Sequence, residues 1–430
     1  GLALLSGAAF ARRRRRRRSG CGNGGGGHNE EEEEEELPPF RVKILTKLGD
    51  DDTGRRLQDG LRRAGVDLTS PLFLVGPSGS SSPETTVIVS ETPEHSRTCV
   101  HCPGTCGDLT EEDVDSVDLD EVFQDVVLLH SDTRHTDAAA ALAREASRRG
   151  VAVSVDAERY RGPRMGEILR AADVVFANER QIPGLREGLH DNSDVAAGGL
   201  LPDPLPLTGT GLEGLCDGED LDCLTQSVAL CQCLNDLSDG LNASKQTVVT
   251  RGAKGSLHVS QENPFSLQHE KNAHNKDGRK SKEQMKPEKD HCAPMVSQAT
   301  QQPTDNSINE NDPCLAKKKL DYFIQHQGTL RDAEVIDTTG AGDAFIAGYL
   351  LCWLVFSQNN ISLEDEVGYG FDVHVQFCLS FATWVAGRKL SGYGAQSALP
   401  DGSVTEKELG TSLADIQRSL DSKVARCSLK

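Results

Sequence analysis

The sequence predicts an α/β fold in which a mostly parallel sheet carries helices on both faces. Short apolar runs with the length of buried strands alternate with longer segments whose apolar residues recur every three or four positions. Only a few residues separate each predicted strand from the next predicted helix. That alternation is typical of neighbouring parallel strands joined by helical crossovers.

The first 38 residues are expected to be a disordered tail. They contain an arginine run at 12–18, a glycine run at 24–27 and a glutamate run at 30–36. Such a composition buries too little apolar surface to offset the loss of chain entropy on folding. The apolar residues 1–10 leave a second interpretation open, in which the tail is the remnant of an organelle-targeting segment.

One folded domain is predicted for residues 39–425. Its first half reads as a strand at 41–45, a helix at 55–64 that Gly65 ends, and an antiparallel hairpin of strands 85–90 and 97–101. The alternating part follows, with strands at 126–130, 151–156, 174–177 and 248–250 and helices at 136–149 and 165–172. Towards the end, the pattern predicts a strand at 333–336 and helices at 343–356, 375–388 and 415–424.

Two segments interrupt this alternation and are expected to be disordered insertions. Residues 183–220 are rich in Gly, Pro and acidic residues, although helical spacing returns from 221 to 237. Residues 261–328 are polar, rich in Lys, Asn, Gln and His, and nearly without periodicity.

Composition limits the classes of partner. The 430 residues include 66 acidic and 46 basic side chains, a formal charge of −20, which disfavours nucleic acid and anionic membrane surfaces as partners. The longest apolar stretch, 349–356, is far too short to span a bilayer. The 13 scattered cysteines are typical of reduced thiols. We therefore expect a cytoplasmic protein, or an organellar one if the tail is a targeting remnant.

The segment with the clearest chemistry is Val-Ile-Asp-Thr-Thr-Gly-Ala-Gly-Asp-Ala-Phe at residues 335–345. At the start of a helix, the backbone N–H groups of Gly340, Ala341 and Gly342 can bind an anion such as a phosphate. Asp343 lies beside them, where it could take a proton from a hydroxyl that attacks the phosphate. The alternative is structural: Asp337 and Thr338 only cap the helix, and Asp343 is solvated in its first turn.

This segment resembles the DTxGAGD signature of the ribokinase-like, or PfkB, carbohydrate kinases, and every position of the signature is present. The resemblance implies a three-layer ribokinase-like fold with a small β lid, and an ATP-dependent, Mg²⁺-assisted transfer of phosphate to a sugar or nucleoside hydroxyl. It assigns Asp343 as catalytic base and the Gly340, Ala341 and Gly342 amides as anion hole. Asp337 and Thr339 would hold a K⁺ ion, as in potassium-activated members.

Other stretches extend the resemblance over residues 41–405, outside the two insertions. Residues 47–54, 64–67 and 394–400 are similar to family segments, and Thr250-Arg251-Gly252-Ala253-Lys254-Gly255 is similar to the nucleotide segment TxGxxG. Thr250, Gly252 and Gly255 are therefore candidate nucleotide contacts at the end of a strand. Asn178 matches the first position of the family's NxxE element, which organises water around Mg²⁺. Gln181 replaces the glutamate, Glu179 is adjacent, and no residue is expected to bind the metal directly.

The substrate half of the site is the least defined. Arg97, in the predicted lid hairpin, is a candidate substrate contact, and the same hairpin permits a homodimer. The family's early strand ending in Asp and its Gly-Gly-Asn element are not recognisable. Either the N-terminus is incomplete or this member has lost sugar binding. Two functions thus stay open: a carbohydrate kinase, or a noncatalytic nucleotide-binding scaffold that uses its long tails for partner contacts.

Overall fold

A computed structural model describes most of the predicted domain. The described residues are 41–89, 97–191, 207–210, 220–237, 245–261, 321–330, 333–359, 373–400 and 422–429. The tail predicted for 1–38 and most of the insertion predicted for 261–328 lie outside them. No helix in these ranges combines the length and apolarity that crossing a membrane requires.

Strands and helices alternate through the chain. The strands are β1 (Thr46–Asp50), β2 (Phe73–Ser78), β3 (Glu84–Val89), β4 (Arg97–Cys102), β5 (Leu128–Ser131), β6 (Ala152–Asp156), β7 (Val174–Asn178), β8 (Leu207–Thr210), β9 (Gln246–Thr250), β10 (Ser256–Ser260), β11 (Asp321–Gln327) and β12 (Ser422–Leu429). The helices are α1 (Asp52–Arg63), α2 (Glu111–Asp115), α3 (Leu119–Val122), α4 (Thr136–Arg149), α5 (Pro163–Ala171), α6 (Ile182–Asp191), α7 (Asp220–Asp236), α8 (Ala341–Asn359) and α9 (Val373–Lys389).

Eight strands form the main sheet in the order β5-β6-β7-β9-β10-β11-β12-β8. The neighbours β5, β6, β7 and β9 are parallel, as the alternation with helices predicts. From β9 onwards each pair is antiparallel, a part of the sheet that the sequence did not predict. The parallel half therefore carries the crossovers and presents the carboxyl ends of four strands at one edge.

Side chains alternate between the two faces of the sheet and build a core on each. Val175 and Ala177 of β7 belong to the larger core, formed with apolar residues of α4, α5, α6 and α7. Val174 and Phe176 belong to the second core, formed with α8 and α9, where the Phe176 ring meets Tyr349 edge-on at 5.4 Å between centroids. This layering, helices on both faces of a sheet, confirms the predicted α/β class.

Two small sheets precede the main one. β1 and β2 pair in parallel, and β3 and β4 form the predicted antiparallel hairpin, with Glu84 opposite Cys102 and Val89 opposite Arg97. Asp51 joins these parts, because its carboxylate caps α1 at Gly54 N (2.8 Å) and accepts from Ser82 N (2.9 Å). Glycine is required at position 49 for steric reasons, because a Cβ on Gly49 would lie 2.3 Å from Ser82 N.

Five elements differ from the sequence-based expectation. The first strand, expected at 41–45, lies at Thr46–Asp50 instead. The insertion expected from residue 183 begins inside α6, whose Ile182, Leu185 and Leu189 are buried along one side, and it also contains β8. The second insertion, expected to run to 328, ends earlier because β11 occupies 321–327. The expected strand at 333–336 is not formed. The strand β12 begins at Ser422, within the helix expected at 415–424, and extends past the expected domain end at 425.

Candidate active site

Three predicted strands end in polar residues at one edge of the sheet. Asp156, Asn178 and Thr250 are the last residues of β6, β7 and β9, which are adjacent and parallel. In open α/β sheets, ligands bind beyond the carboxyl ends of such strands. This edge is therefore the candidate active site, and it contains two of the predicted nucleotide residues.

The turn after β9 is closed by backbone hydrogen bonds. Arg251 N donates to Gly255 O at 2.8 Å, and a short 3₁₀ turn covers Gly252–Lys254. Gly252 and Gly255 have φ values of +57° and +84°, and a Cβ on Gly255 would lie 2.0 Å from Gln327 O. Both glycines of the predicted nucleotide segment are thus required by the backbone, whether or not a ligand is bound.

Asn178 lies directly beside this turn. Glu179 N donates to Thr250 O at 3.0 Å, which joins the ends of β7 and β9, and Asn178 Oδ1 accepts from Arg180 N at 3.1 Å. Together the two strand ends enclose a cavity of about 310 Å³, lined by Asn178, Glu179, Arg180, Arg251, Gly252, Ala253 and Lys254. The structure therefore places Asn178 and Gly252 in the lining of one cavity, with Thr250 opposite Asn178 at the adjacent strand end.

Charge in this cavity comes from residues that the sequence analysis did not select. The Arg251 side chain is 1 % exposed, and its Nε lies 3.8 Å from Glu179 Oε2. Lys254 and Arg180 add two further cationic side chains to the lining. Three basic groups against one carboxylate give the cavity a net positive charge, which favours an anionic ligand.

Hydrogen bonds to Asp337 fix the signature loop, which is residues 337–343. Asp337 is 5 % exposed; its Oδ1 accepts from Thr339 N and its Oδ2 from Gly394 N, both at 2.8 Å. Burial alone would raise the pKa of Asp337, but the hydrogen bonds from Thr339 and Gly394 and the charge of Lys389 outweigh it and lower the pKa. Asp337 is therefore an ionised group that ties the signature loop to the closing segment 390–400.

The predicted anion hole lies at the start of α8. Gly340 precedes the helix with φ +77°, and the Gly342 N–H belongs to the first turn, where a helix lacks internal acceptors. The Ala341 N–H donates to Thr338 O at 3.2 Å, so one of the three predicted amides already has an acceptor within the loop. The helix N-terminus still offers an anion the positive end of its dipole.

Asp343 lies in the first turn of α8 and is partly buried. It is close enough to the strand ends to act on Asp156. Burial and, to a smaller extent, the negative charges of Glu158, Asp343 and Asp132 together raise the pKa of Asp156 to about 7. The start of α8 and the carboxyl end of β6 therefore lie near each other. Sequence reasoning missed Asp156, whose only signal is an acidic residue at the end of a buried strand.

Lys389 is a second residue that the sequence analysis missed. It ends α9, its side chain is fully buried, and its Nζ donates to Asp337 O at 2.9 Å and Gly392 O at 3.2 Å. A lysine in the last turn of a helix is an ordinary feature of sequences, so only the fold shows that this one enters the signature loop.

The remaining predicted residues stay predictions. Arg97 opens β4 opposite Val89, at one end of the hairpin, and no described contact links it to a substrate. The roles of Asp337 and Thr339 as ligands of a cation, and of the hairpin as a dimer interface, are likewise untested. No group of three His, Cys, Asp or Glu side chains in the described ranges could hold a metal ion by itself.

Comparisons with known proteins bear on this site. The family model for pfkB family carbohydrate kinases matches residues 311–402, which include the signature loop, α8 and the closing segment. An ATP-dependent ribose-1-phosphate kinase from Halopiger xanaduensis is 34 % identical over 146 residues, or 34 % of this chain; the match spans about half (46 %) of that relative.

Similarity of structure covers more of the chain. Ribokinase from Giardia lamblia matches 86 % of this chain and 84 % of its own at 16 % identity, with a TM-score of 0.53. Arabidopsis thaliana ribokinase, solved with ribose and ATP, matches 86 % and 83 % at 17 % identity, with a TM-score of 0.48. The family match and the Giardia structure confirm the predicted resemblance: the chain has a ribokinase-like fold and carries a pfkB segment.

Proposed function

We propose, since residues 311–402 match the pfkB carbohydrate kinases, that this protein is an ATP-dependent kinase that phosphorylates a hydroxyl of a sugar or similar small alcohol. One observation carries the proposal: Asp343, in the first turn of α8 after Gly340, is close enough to the end of β6 for its charge to act on Asp156, and the adjacent strand β7 ends at the cavity lined by Asn178 and Gly252. A base, an anion site and a cationic cavity are the parts that phosphoryl transfer needs.

In this mechanism the cavity at the strand ends holds the nucleotide. Asn178 and Gly252 line it, Thr250 and Gly255 flank the turn that carries Gly252, and the basic side chains of Arg251 and Lys254 attract the phosphates.

Asp343 then takes the proton of the attacking hydroxyl. Burial, with a smaller effect of the Asp343 charge, raises the pKa of Asp156, so Asp156 holds a proton at neutral pH more readily than an ordinary aspartate. The N–H groups of Gly340 and Gly342 and the dipole of α8 stabilise the charge on the transferred phosphate. Asp337 keeps this loop in place.

A Mg²⁺ ion would accompany the nucleotide. The polar side chains of Asn178 and Glu179 line the cavity, and magnesium retains water and binds phosphate oxygens, so it does not need a complete set of protein ligands. When bound, the ion neutralises phosphate charge. These residues fit a water-mediated ion held mainly by the nucleotide.

The acceptor belongs to the sugars or nucleosides in this proposal. The Halopiger relative is described as acting on ribose 1-phosphate, which supports including phosphorylated pentoses among the candidates. We propose this class of acceptor, and the turnover assay described next identifies the individual substrate.

The test is nucleotide turnover by the purified chain with Mg²⁺ and a panel of pentoses, hexoses, ketoses, polyols, nucleosides and ribose 1-phosphate. We expect turnover with one acceptor class, and Asp343→Asn should lower kcat by about 10²- to 10⁴-fold because the general base is lost. ATP affinity, measured by calorimetry, should change less than about threefold because the cavity at Asn178 is intact.

Asp137→Asn is the matched control. Asp137 is also an aspartate in the first turn of a helix that follows a strand, but it belongs to α4 and is exposed. It should keep wild-type turnover. If Asp343→Asn weakens ATP binding and leaves kcat unchanged, Asp343 is not the base. If ATP binds and no acceptor is phosphorylated, the noncatalytic interpretation is favoured.

A further inference from the structure

The contacts of Lys389 conflict with a free ion at the signature loop. Potassium-activated relatives would place a K⁺ ion at Asp337 and Thr339. Here each carboxylate oxygen of Asp337 accepts a backbone N–H, and its carbonyl oxygen accepts from Lys389 Nζ at 2.9 Å. A positive charge therefore already lies beside Asp337. Thr339 Oγ1 is buried without a hydrogen-bond partner among the described residues, but one unpartnered oxygen is too few to hold an additional monovalent ion.

The surroundings of Lys389 have the composition of a cation site. The ammonium is bound by two backbone carbonyl oxygens, Asp337 O and Gly392 O, and the ionised carboxylate of Asp337 compensates its charge. Carbonyl oxygens are also the groups that replace water around K⁺ in proteins. A buried ammonium without such partners would be strongly destabilising, so the oxygens and the charge are matched to each other.

We propose that the Lys389 ammonium is a covalently attached substitute for the monovalent cation, and that it makes this protein independent of K⁺. This inference rests on the proposed function for its catalytic readout. Lys389 is a positioning residue: it acts on phosphoryl transfer through the loop that carries Gly340 and Asp343.

The way it acts follows from the connections of the loop. Lys389 Nζ joins the carbonyls of Asp337 and Gly392, and Asp337 in turn binds Gly394 N. Ile336 N also donates to Leu390 O at 2.8 Å. These bonds fasten the signature loop to the segment after α9, so the anion site at Gly340 is formed before any ligand or ion binds.

The test compares KCl with choline chloride at equal ionic strength, because choline is too large for the site. Wild-type protein should show the same thermal midpoint and the same turnover in both salts. Lys389→Ala should lose at least about tenfold in kcat in choline. K⁺ or NH₄⁺ should restore much of that loss and raise the thermal midpoint of the variant, since either ion can enter the space left by the ammonium.

Two further variants separate this role from a general effect of a buried lysine. Lys389→Met fills the space with an apolar side chain, so it should lose activity without rescue by K⁺. Lys245→Ala removes the other lysine that is fully buried in the described part of the chain. Its Nζ donates to Arg170 O and Ala172 O, away from the signature loop, and the kcat of this variant should be equal in both salts.

Either of two results overturns the inference. One is a rise in the wild-type midpoint or turnover with K⁺; the other is a folded Lys389→Ala variant that responds to neither K⁺ nor NH₄⁺. The thermal measurements need no acceptor, so they decide the cation question even if the proposed kinase activity fails. If Lys389→Ala does not fold, the response of the wild-type protein to K⁺ decides alone.

Discussion

Gly340 shows how a single residue links the backbone to the site. Its φ of +77° lies in the left-handed region, and an added Cβ would approach the Ala395 side chain to 2.9 Å and its Cα to 3.0 Å. Gly342, two residues later, has open space around its Cα and a helical backbone. The backbone therefore requires glycine at position 340 but tolerates a side chain at position 342.

We predict that Gly340→Ala lowers the free energy of unfolding by about 2 kcal/mol or more, from the strained φ together with the close contact. Gly342→Ala should be neutral or slightly stabilising, because alanine is the better helix former. Thermal and urea denaturation of the ligand-free variants measure both effects. Equal midpoints for the two variants would contradict the backbone argument.

Single residues were predictable where the chemistry is local to a motif. Asp343, Gly340, Asn178 and Thr250 were selected from short patterns. The structure places Asn178 and Thr250 at adjacent strand ends, and Gly340 and Asp343 at the start of α8. Asp156, Arg251 and Lys389 were not selected. Their signals exist only in three dimensions, because each depends on a neighbour far away in the chain.

At the scale of elements, helix α5 is held by a lysine from a distant part of the chain. Lys245 precedes β9 and is 1 % exposed, and its Nζ donates to Arg170 O at 2.7 Å and Ala172 O at 2.6 Å. These carbonyls lie at the end of α5, where a helix has acceptors without internal donors and a negative dipole end. The ammonium thus caps the helix and joins it to the sheet.

Lys245→Met should destabilise the protein by about 2–4 kcal/mol, because buried carbonyls lose a charged donor while the side-chain volume is kept. Lys43→Met is the matched control. Lys43 Nζ also donates to a backbone carbonyl, Gln124 O at 3.4 Å, but in an exposed position, and its loss should stay within about 0.5 kcal/mol. Chemical denaturation measures the free energy of unfolding of both variants. Similar decreases in the two variants would show that burial of the lysine contributes little to stability.

Elements with local periodicity were predicted, and those defined by a distant partner were not. α4 and α9 appear close to their expected bounds because their apolar spacing is internal to the segment. β11 was assigned to a polar insertion: its buried Tyr322 and Ile324 are too few to mark a strand without knowledge of β10. The segment expected as a strand at 333–336 bonds instead through Ile336 N to Leu390 O.

At the scale of the whole molecule, three titratable groups at or near the sheet contribute to the change of stability with pH: His258, which is buried, and His130 and Asp156, which are partly buried. Burial lowers the pKa of His130 to about 4 and that of His258 to about 3, while burial and nearby acids raise the pKa of Asp156 to about 7. In the unfolded chain the histidines titrate near 6.5 and the aspartate near 3.8.

The two histidines and Asp156 change the free energy of unfolding with pH in opposite directions. Between about pH 4.5 and 6.5 the unfolded chain binds two additional protons at the histidines, whereas the folded protein retains one at Asp156. The contribution of these groups to stability therefore rises with pH in this window, by about 1.4 kcal/mol per pH unit for the net proton. Above pH 6.5 the histidine contribution is complete and only the loss from Asp156 continues, until about pH 7. The combined contribution is largest near pH 6.5.

Asp156→Asn isolates one of these contributions because all other groups cancel in the comparison with wild type. The variant should gain stability relative to wild type as the pH rises from about 4 to 7, and the gain should then stay constant at no more than about 4 kcal/mol, the value that corresponds to a pKa of about 7 instead of 3.8. Urea denaturation at half-unit pH steps measures it. A difference that does not change between pH 4 and 8 would show that Asp156 titrates normally in the folded protein, and that neither burial nor the charge of Asp343 raises its pKa.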